Sequence, residues 1–278
     1  MITADSLSGL SIAQILARPA LPPLEARILL CHALDLTRVQ LITRSELVPD
    51  EAGRCRLAQL FSRRLQGEPI AYITGSREFY GLDFAVTPAV LIPRPETELL
   101  VELALERLPP KGSMLDLGTG SGAIAVAVAH SRADARIAAL DASAAALEVA
   151  RANALRHGAR VDFMQSDWYA ALPPQRFDLI ASNPPYIVAG DAHLAQGDLR
   201  FEPKDALTDH ADGLSALRAI IQDANAYLAP GGWLLLEHGY DQAAPVRSLL
   251  DAHRFAEVQS WRDLAGIERA SGGRLPQN

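Results

Sequence analysis

Leu115-Asp116-Leu117-Gly118-Thr119-Gly120-Ser121-Gly122 reads as an apolar strand, a glycine turn and the start of a helix. Glycine tolerates positive φ and lets a ligand approach the backbone closely, so this composition at the end of a buried strand marks a binding loop. The same alternation continues downstream. Strands are predicted at 114–117, 136–140, 161–165, 177–181, 233–237 and 255–261, and helices at 122–130, 144–157, 214–228 and 242–252. Such an order gives an α/β fold, a mostly parallel sheet covered by helices on both faces. The polar, glycine-containing tail to Asn278 is predicted as a last edge strand. Ligands of such sheets bind at the carboxyl ends of the strands.

Unusual residues stand at the first four of those ends. Gly118, Gly120 and Ala123 fit the G-x-G-x-x-A pattern of dinucleotide sites. Asp116, at the strand end, argues against that ligand: a carboxylate repels a pyrophosphate and attracts an amino or sulfonium group. Asp141 follows the second strand, where a carboxylate either accepts from the two hydroxyls of a ribose or caps the next helix. Asp167 and Trp168 follow the third, a pair suited to gripping an adenine amine and stacking on its ring. After the strand at 177–181 comes Ser182-Asn183-Pro184-Pro185-Tyr186. Prolines have no N–H to donate, so their carbonyls and the Asn183 oxygen form a stiff, uncharged cluster of acceptors. It suits a substrate bearing an NH2 group, with Tyr186 as a ring for a planar group to lie against.

Upstream the pattern is different. Helices are predicted at 11–18, 23–34, 38–43 and 50–66, a segment without catalytic residues. Arg54, Arg56, Arg63 and Arg64 lie largely outside the apolar stripe of the fourth helix and read as a solvated surface. Alternation around Gly81 predicts a hairpin over 78–91, followed by Ile92-Pro93-Arg94-Pro95-Glu96-Thr97-Glu98 and a helix to about residue 108. The domains are thus read as 1–75, helical; 76–93, a hairpin linker; and 94–278, the α/β domain.

A net charge of −7 argues against a general nucleic-acid binder. Nothing approaches the roughly 18 apolar residues of a membrane span, and the start Met1-Ile2-Thr3-Ala4-Asp5 lacks a secretory pattern, so a cytoplasmic location is expected. Cys31 and Cys55 are too few for a disulfide framework or a zinc cage and are expected to pack as small apolar side chains; no metal is expected. His238, after the strand at 233–237, is read as a strand-end histidine rather than a base. There is no P-loop, no H-E-x-x-H and no G-x-S-x-G.

Taken in order, Asp-Leu-Gly-Thr-Gly-Ser-Gly at 116–122, Asp141, Asp167-Trp168 and Asn-Pro-Pro-Tyr at 183–186 resemble a class I S-adenosylmethionine-dependent methyltransferase. With Glu78-Phe79-Tyr80-Gly81, the run Leu91 to Glu98, Phe201-Glu202-Pro203 and Asp263-Leu264-Ala265-Gly266, nearly the whole chain resembles the release factor glutamine methyltransferase family, also called PrmC or HemK. The resemblance implies a Rossmann-like methyltransferase sheet and S-adenosyl-L-methionine as cofactor. Gly118, Thr119, Gly120, Ser121 and Gly122 would bracket the methionine end of that cofactor, Asp141 its ribose, and Asp167 and Trp168 its adenine, with Asn183 beside it. Asn183, Pro184, Pro185 and Tyr186 would hold the glutamine of the Gly-Gly-Gln motif of a class I peptide release factor, methylated on its side-chain nitrogen; Asn183, Pro184 and Tyr186 would be the catalytic residues. The helical domain would dock another part of that factor, and a monomer is expected. The rival readings are a nucleobase exocyclic-amine methyltransferase, an NAD-dependent oxidoreductase and a noncatalytic adaptor.

Overall fold

The computed structural model describes residues 3–18 and 21–277. The chain forms two compact units, one ending at Gly75 and one beginning at Ser76. The first comprises α1 (Ile12–Leu16), α2 (Pro23–Leu34), α3 (Arg38–Thr43), α4 (Glu51–Leu65) and α5 (Ile70–Thr74). Ser11 with Gln14, and Thr37 with Gln40, form reciprocal capping boxes that satisfy the free N–H groups at the starts of α1 and α3. Ile12, Leu29, Leu30, Leu57 and Phe61 are buried at the centre of this unit.

The arginines of α4 are more engaged than a solvated surface implies. Arg64 grips Glu25 with two hydrogen bonds of 2.7 Å, tying α4 to the start of α2, and Arg56 Nε donates to the Ala33 carbonyl at 2.8 Å. Cys31 is half-buried, whereas Cys55 is exposed, because the buried stripe of α4 runs through Leu57, Ala58 and Phe61 and leaves position 55 outside it.

The second unit opens with the hairpin β1 (Ser76–Phe79) and β2 (Leu82–Ala85), joined through Tyr80 and Gly81, both at positive φ. It is shorter than the predicted 78–91 hairpin: beyond Ala85 the chain runs without a strand to the turn at Pro95–Thr97 that leads into α6 (Glu98–Arg107). Then follow β3 (Ser113–Leu117), α7 (Ala123–Ser131), β4 (Arg136–Asp141), α8 (Ala144–Arg156), β5 (Val161–Gln165) and β6 (Phe177–Ser182). The chain ends with α9 (Ser215–Tyr227), β7 (Leu228–Glu237), α10 (Ala243–Ala252), β8 (Ala256–Arg262) and β9 (Glu268–Arg274).

The sheet order is β5-β4-β3-β6-β7-β9-β8, parallel throughout except for β9, which runs antiparallel to both of its neighbours. The last strand is therefore internal, not the edge strand expected from the sequence, and β8 forms that edge. Glycines make the insertion possible. A Cβ at Gly272 would lie 2.4 Å from the Leu234 carbonyl oxygen, so a side chain there would force β9 away from β7.

Successive strand residues point to opposite faces. Met114, Leu179 and Leu235 pack on one face with Leu100, Val101, Val126 and the hairpin residues Phe79 and Phe84. Leu115, Leu117, Ile180, Leu234 and Leu236 pack on the other with Leu217, Ile221, Val246 and Leu250. Both faces are covered, which is why the central strands read as continuous apolar runs.

Candidate active site

A cavity of ≈ 390 Å³ opens at the carboxyl ends of β3, β4, β5 and β6. Its wall includes Gly118, Thr119, Gly120, Ser121, Asp141, Asp167, Trp168, Asn183 and Pro185, so most of the residues singled out in the sequence meet in one place. Gly122, Pro184 and Tyr186 do not line it.

The glycine loop is held by its neighbours. Thr119 N donates to the Leu140 carbonyl at 2.9 Å, and Gly120 N donates to Asp141 Oδ2 at 2.8 Å. Ser143 N donates to Asp141 Oδ1 at 2.9 Å, and Ser143, not Asp141, is the N-cap of α8. Burial raises the Asp141 pKa against those two donors; a carboxylate short of solvation is suited to further hydroxyl donors. Trp168 has φ of 43°, uncommon for a bulky residue, and its ring lies 3.5 Å from where a Gly118 Cβ would stand. That conformation sets an aromatic face beside the loop. Gly122 serves the backbone instead of the ligand, since at φ of 82° it starts α7 and a Cβ would meet Ala150 Cβ at 3.2 Å.

β6 lies beside β3, and Ser182 Oγ donates to the Leu117 carbonyl at 2.7 Å, which sets the Asn-Pro-Pro-Tyr run next to the glycine loop. Asn183 Nδ2 donates to Thr97 Oγ1 at 3.1 Å, and among the described residues no donor reaches Asn183 Oδ1. Tyr186 is pinned behind the cavity: its hydroxyl donates to Glu237 Oε1 at 3.4 Å, and its carbonyl accepts from Gln242 Nε2 at 3.0 Å. Burial, then the Glu237 charge, raises the Tyr186 pKa, so the phenol stays neutral.

Several wall residues lack a role in the sequence reading. Ala89 to Leu91, Pro93, Arg94 and Thr97 cover one side, and Pro203, Asp205 and Ala206 another. Glu202, with a fully buried side chain, joins the two: Oε2 accepts from Ile92 N at 3.0 Å and Oε1 pairs with Arg94. Asp116 is 0% exposed and lies under the loop rather than in the wall. Its Oδ2 accepts from Thr119 Oγ1 at 2.6 Å and from Ala125 N at 3.2 Å, its Oδ1 has no partner, and burial pushes its pKa up to about 7. His238 is buried, bonded to the Gly239 carbonyl and Ser271 Oγ, and away from the cavity wall. Asn153, fully buried on α8, bonds to both the N–H and the carbonyl of Ala85 and to the Ser121 carbonyl, linking hairpin to loop. Among the described residues no helix is long and apolar enough to cross a membrane, and no cluster of His, Cys, Asp or Glu could hold a metal.

The glycine loop, an under-solvated Asp141 and the Trp168 ring provide the kinds of contact that an adenosine-bearing cofactor requires. Comparison with known proteins agrees with that chemistry. Residues 95–199 match the methyltransferase small domain and residues 11–75 the PrmC N-terminal domain. The methyltransferase from Pyrococcus furiosus shares the fold, with a TM-score of 0.55 and 20% identity over 77% of this chain and 97% of its own. The release factor glutamine methyltransferase of Burkholderia pseudomallei (strain K96243) is 59% identical over 278 residues, 97% of this chain and 98% of that protein. That of Neisseria gonorrhoeae (strain ATCC 700825 / FA 1090) is 56% identical over 276 residues, 98% of each. With identity this high across both units, the chain belongs to the release factor glutamine methyltransferase family.

Proposed function

We propose that this enzyme methylates the side-chain amide nitrogen of the glutamine in the Gly-Gly-Gln motif of class I peptide chain release factors, with S-adenosyl-L-methionine as methyl donor. The observation that carries the reading is the Asn183 amide, whose NH2 is bonded inside the protein and whose oxygen stands free at the cavity wall. When bound, the cofactor would supply an electrophilic methyl group, its sulfonium leaving as a neutral thioether as the S–C bond breaks, with one N–H proton of the amide lost to solvent after transfer. Asp141 would accept from its ribose hydroxyls, Asp167 and Trp168 would border its adenine, and the Gly118–Ser121 loop would let its methionine end approach the backbone.

An amide nitrogen is a poor nucleophile because its lone pair is delocalised into the carbonyl. Asn183 Oδ1 and the Pro184 carbonyl each accept one of its hydrogens and fix its orientation. These acceptors bind more strongly as the nitrogen gains a bond and its hydrogens become more positive, so their effect falls on the rate. Pro185 walls the planar amide, with Tyr186 bracing the run from behind. Residues 1–75 dock a separate part of the factor, residues 94–278 carry the chemistry, and residues 76–93, which open with the hairpin, connect them.

The test is transfer of labelled methyl to a purified class I release factor, beside a factor carrying Gln→Ala in Gly-Gly-Gln and a nucleic-acid control. Label on intact factor alone is expected; label on nucleic acid or on the Gln→Ala factor overturns the assignment. Within the enzyme, Asn183→Ala should slow single-turnover transfer by about 10²- to 10³-fold, by analogy with loss of one preorganised oxyanion donor.

A further inference from the structure

Five large apolar side chains of the second unit are exposed among the described residues: Leu155, Val188, Tyr240, Leu264 and Ile267. Single exposed apolar residues are ordinary. Four of these five, however, stand at one end of the sheet. Val188 follows the Asn-Pro-Pro-Tyr run beyond β6, Tyr240 follows β7, and Leu264 and Ile267 belong to the turn between β8 and β9. Because β9 is antiparallel to β7, with Ala270 opposite Glu237, that turn lies at the carboxyl end of β7. The cavity opens at this same end, but its wall includes none of the four.

Hydrogen bonds tie these segments to one another. Gln242 Nε2 donates to the Tyr186 carbonyl at 3.0 Å and to the Gly213 carbonyl at 3.1 Å, and its Oε1 accepts from Gly239 N at 2.8 Å, so the chain after β6 is fixed to the chain after β7. His238 N donates to the Arg269 carbonyl at 2.9 Å, and Arg269 Nε donates to Asp263 Oδ2 at 3.3 Å. Within the turn, Asp263 Oδ1 accepts from Ala265 N and from Ile267 N, each at 2.9 Å, and Asp263 N donates to the Ile267 carbonyl at 2.8 Å. The turn is thus built, and it holds Leu264 fully exposed. A leucine in that place adds nothing to the core, whereas a partner meeting it would find a surface already ordered.

We propose that Val188, Tyr240, Leu264 and Ile267 form a docking surface for the polypeptide that flanks the substrate glutamine. This rests on the reading of the Asn183 to Tyr186 run as the glutamine site, which the surface continues across β7, β9 and β8. Neighbouring strands are about 4.8 Å apart, so the turn stands two to three spacings, roughly 10 to 14 Å, from the end of β6. An extended chain advances about 3.3 Å per residue, and its third or fourth residue from the glutamine reaches Leu264. The chemistry suits a peptide and not a nucleic-acid strand, which needs cations for its phosphates. Both arginines beside the turn are engaged within it, Arg269 with Asp263 and Arg262 with the Gly266 carbonyl.

The experiment is steady-state methylation of intact class I release factor at saturating cofactor, for wild type, Leu264→Asp, Leu264→Met and, as a control away from this surface, Leu155→Asp. Leu264→Asp should raise KM by about 10-fold, the contribution of burying most of one leucine side chain, with kcat, cofactor affinity and unfolding midpoint unchanged. Leu264→Met should restore the wild-type KM, and Leu155→Asp should leave it unaltered. Irradiating Leu264→p-benzoylphenylalanine with the factor should place the crosslink within about six residues of the glutamine, the reach of a short extended segment. An unchanged KM for Leu264→Asp, an equal rise for Leu155→Asp, or a crosslink to a distant part of the factor or to a second copy of the enzyme each overturns the proposal. Failure of the wild-type enzyme to label intact factor would instead overturn the glutamine reading on which it rests.

Discussion

Replacing Asp116 by asparagine should change how stability depends on pH, in the direction that burial of its carboxyl dictates. The Asp116 carboxyl is fully buried, one oxygen lacks a partner, and its pKa rises from 3.8 to about 7 on folding. A carboxyl raised in the native state keeps its proton there after the unfolded chain has released it. Its contribution is present in full below the unfolded pKa and is lost as pH rises through the native one. A shift of roughly 3 units corresponds to about 4 kcal/mol in all, of which about 2 kcal/mol falls between pH 5.5 and 7.5. Asparagine keeps an oxygen for Thr119 and Ala125 and has no charge to bury, so that part of the slope should vanish. Urea unfolding followed by tryptophan fluorescence at the two pH values is the assay, because Trp168, Trp233 and Trp261 all lie in the unit that contains Asp116. Wild type should lose about 2 kcal/mol more than Asp116→Asn across this interval. Glu237, also raised to about 7, adds a similar slope to both proteins and cancels in the difference. Parallel losses in the two proteins would refute the reasoning.

Gly122→Ala should destabilise the second unit by roughly 1 to 3 kcal/mol, since it places a Cβ at φ of 82° and 3.2 Å from Ala150; chemical denaturation checks it, and a change below about 0.5 kcal/mol counts against the strain. Asp141→Ala should weaken S-adenosylmethionine binding by roughly 1.5 to 3 kcal/mol in calorimetric titration, the loss of charge-assisted hydrogen bonds, with wild-type affinity the contrary result. Val39→Ser with Ile42→Ser, at α3 positions that are 68% and 76% exposed, should raise KM for intact release factor several-fold while leaving cofactor affinity unchanged; an unaltered KM would show that this face is not used in docking.

The sequence reveals what is local. Strand positions 161–165 and helix positions 23–34 and 38–43 coincide with the structure because period-2 and period-3.6 apolar patterns and capping residues lie within each segment. The residues at 118–121, 141, 167, 168 and 183 meet in one cavity because a parallel sheet brings every strand's carboxyl end to the same side. What is hidden depends on partners far apart in the chain. Nothing near Glu202 announces that it will hold Ile92 and Arg94, 110 and 108 residues away. The insertion of β9 between β7 and β8 depends on how closely two backbones approach, which Gly272 records only once Leu234 is known to face it. Gly122 and Tyr186 share the composition of a binding site, but one starts a helix and the other buttresses Glu237 from behind.

Two of the buried acids, Asp116 and Glu237, stand in related positions. Asp116 underlies the glycine loop through Thr119 and Ala125; Glu237 underlies the Asn-Pro-Pro-Tyr run through Tyr186. Each is a charge-accepting group placed where hydrophobic packing would be cheaper, and each lowers stability as the pH rises toward neutrality. A core shaped by stability alone would not keep both. Their cost falls under the two loops to which the proposed function gives cofactor and substrate, which is where a fold selected for chemistry rather than stability would carry it.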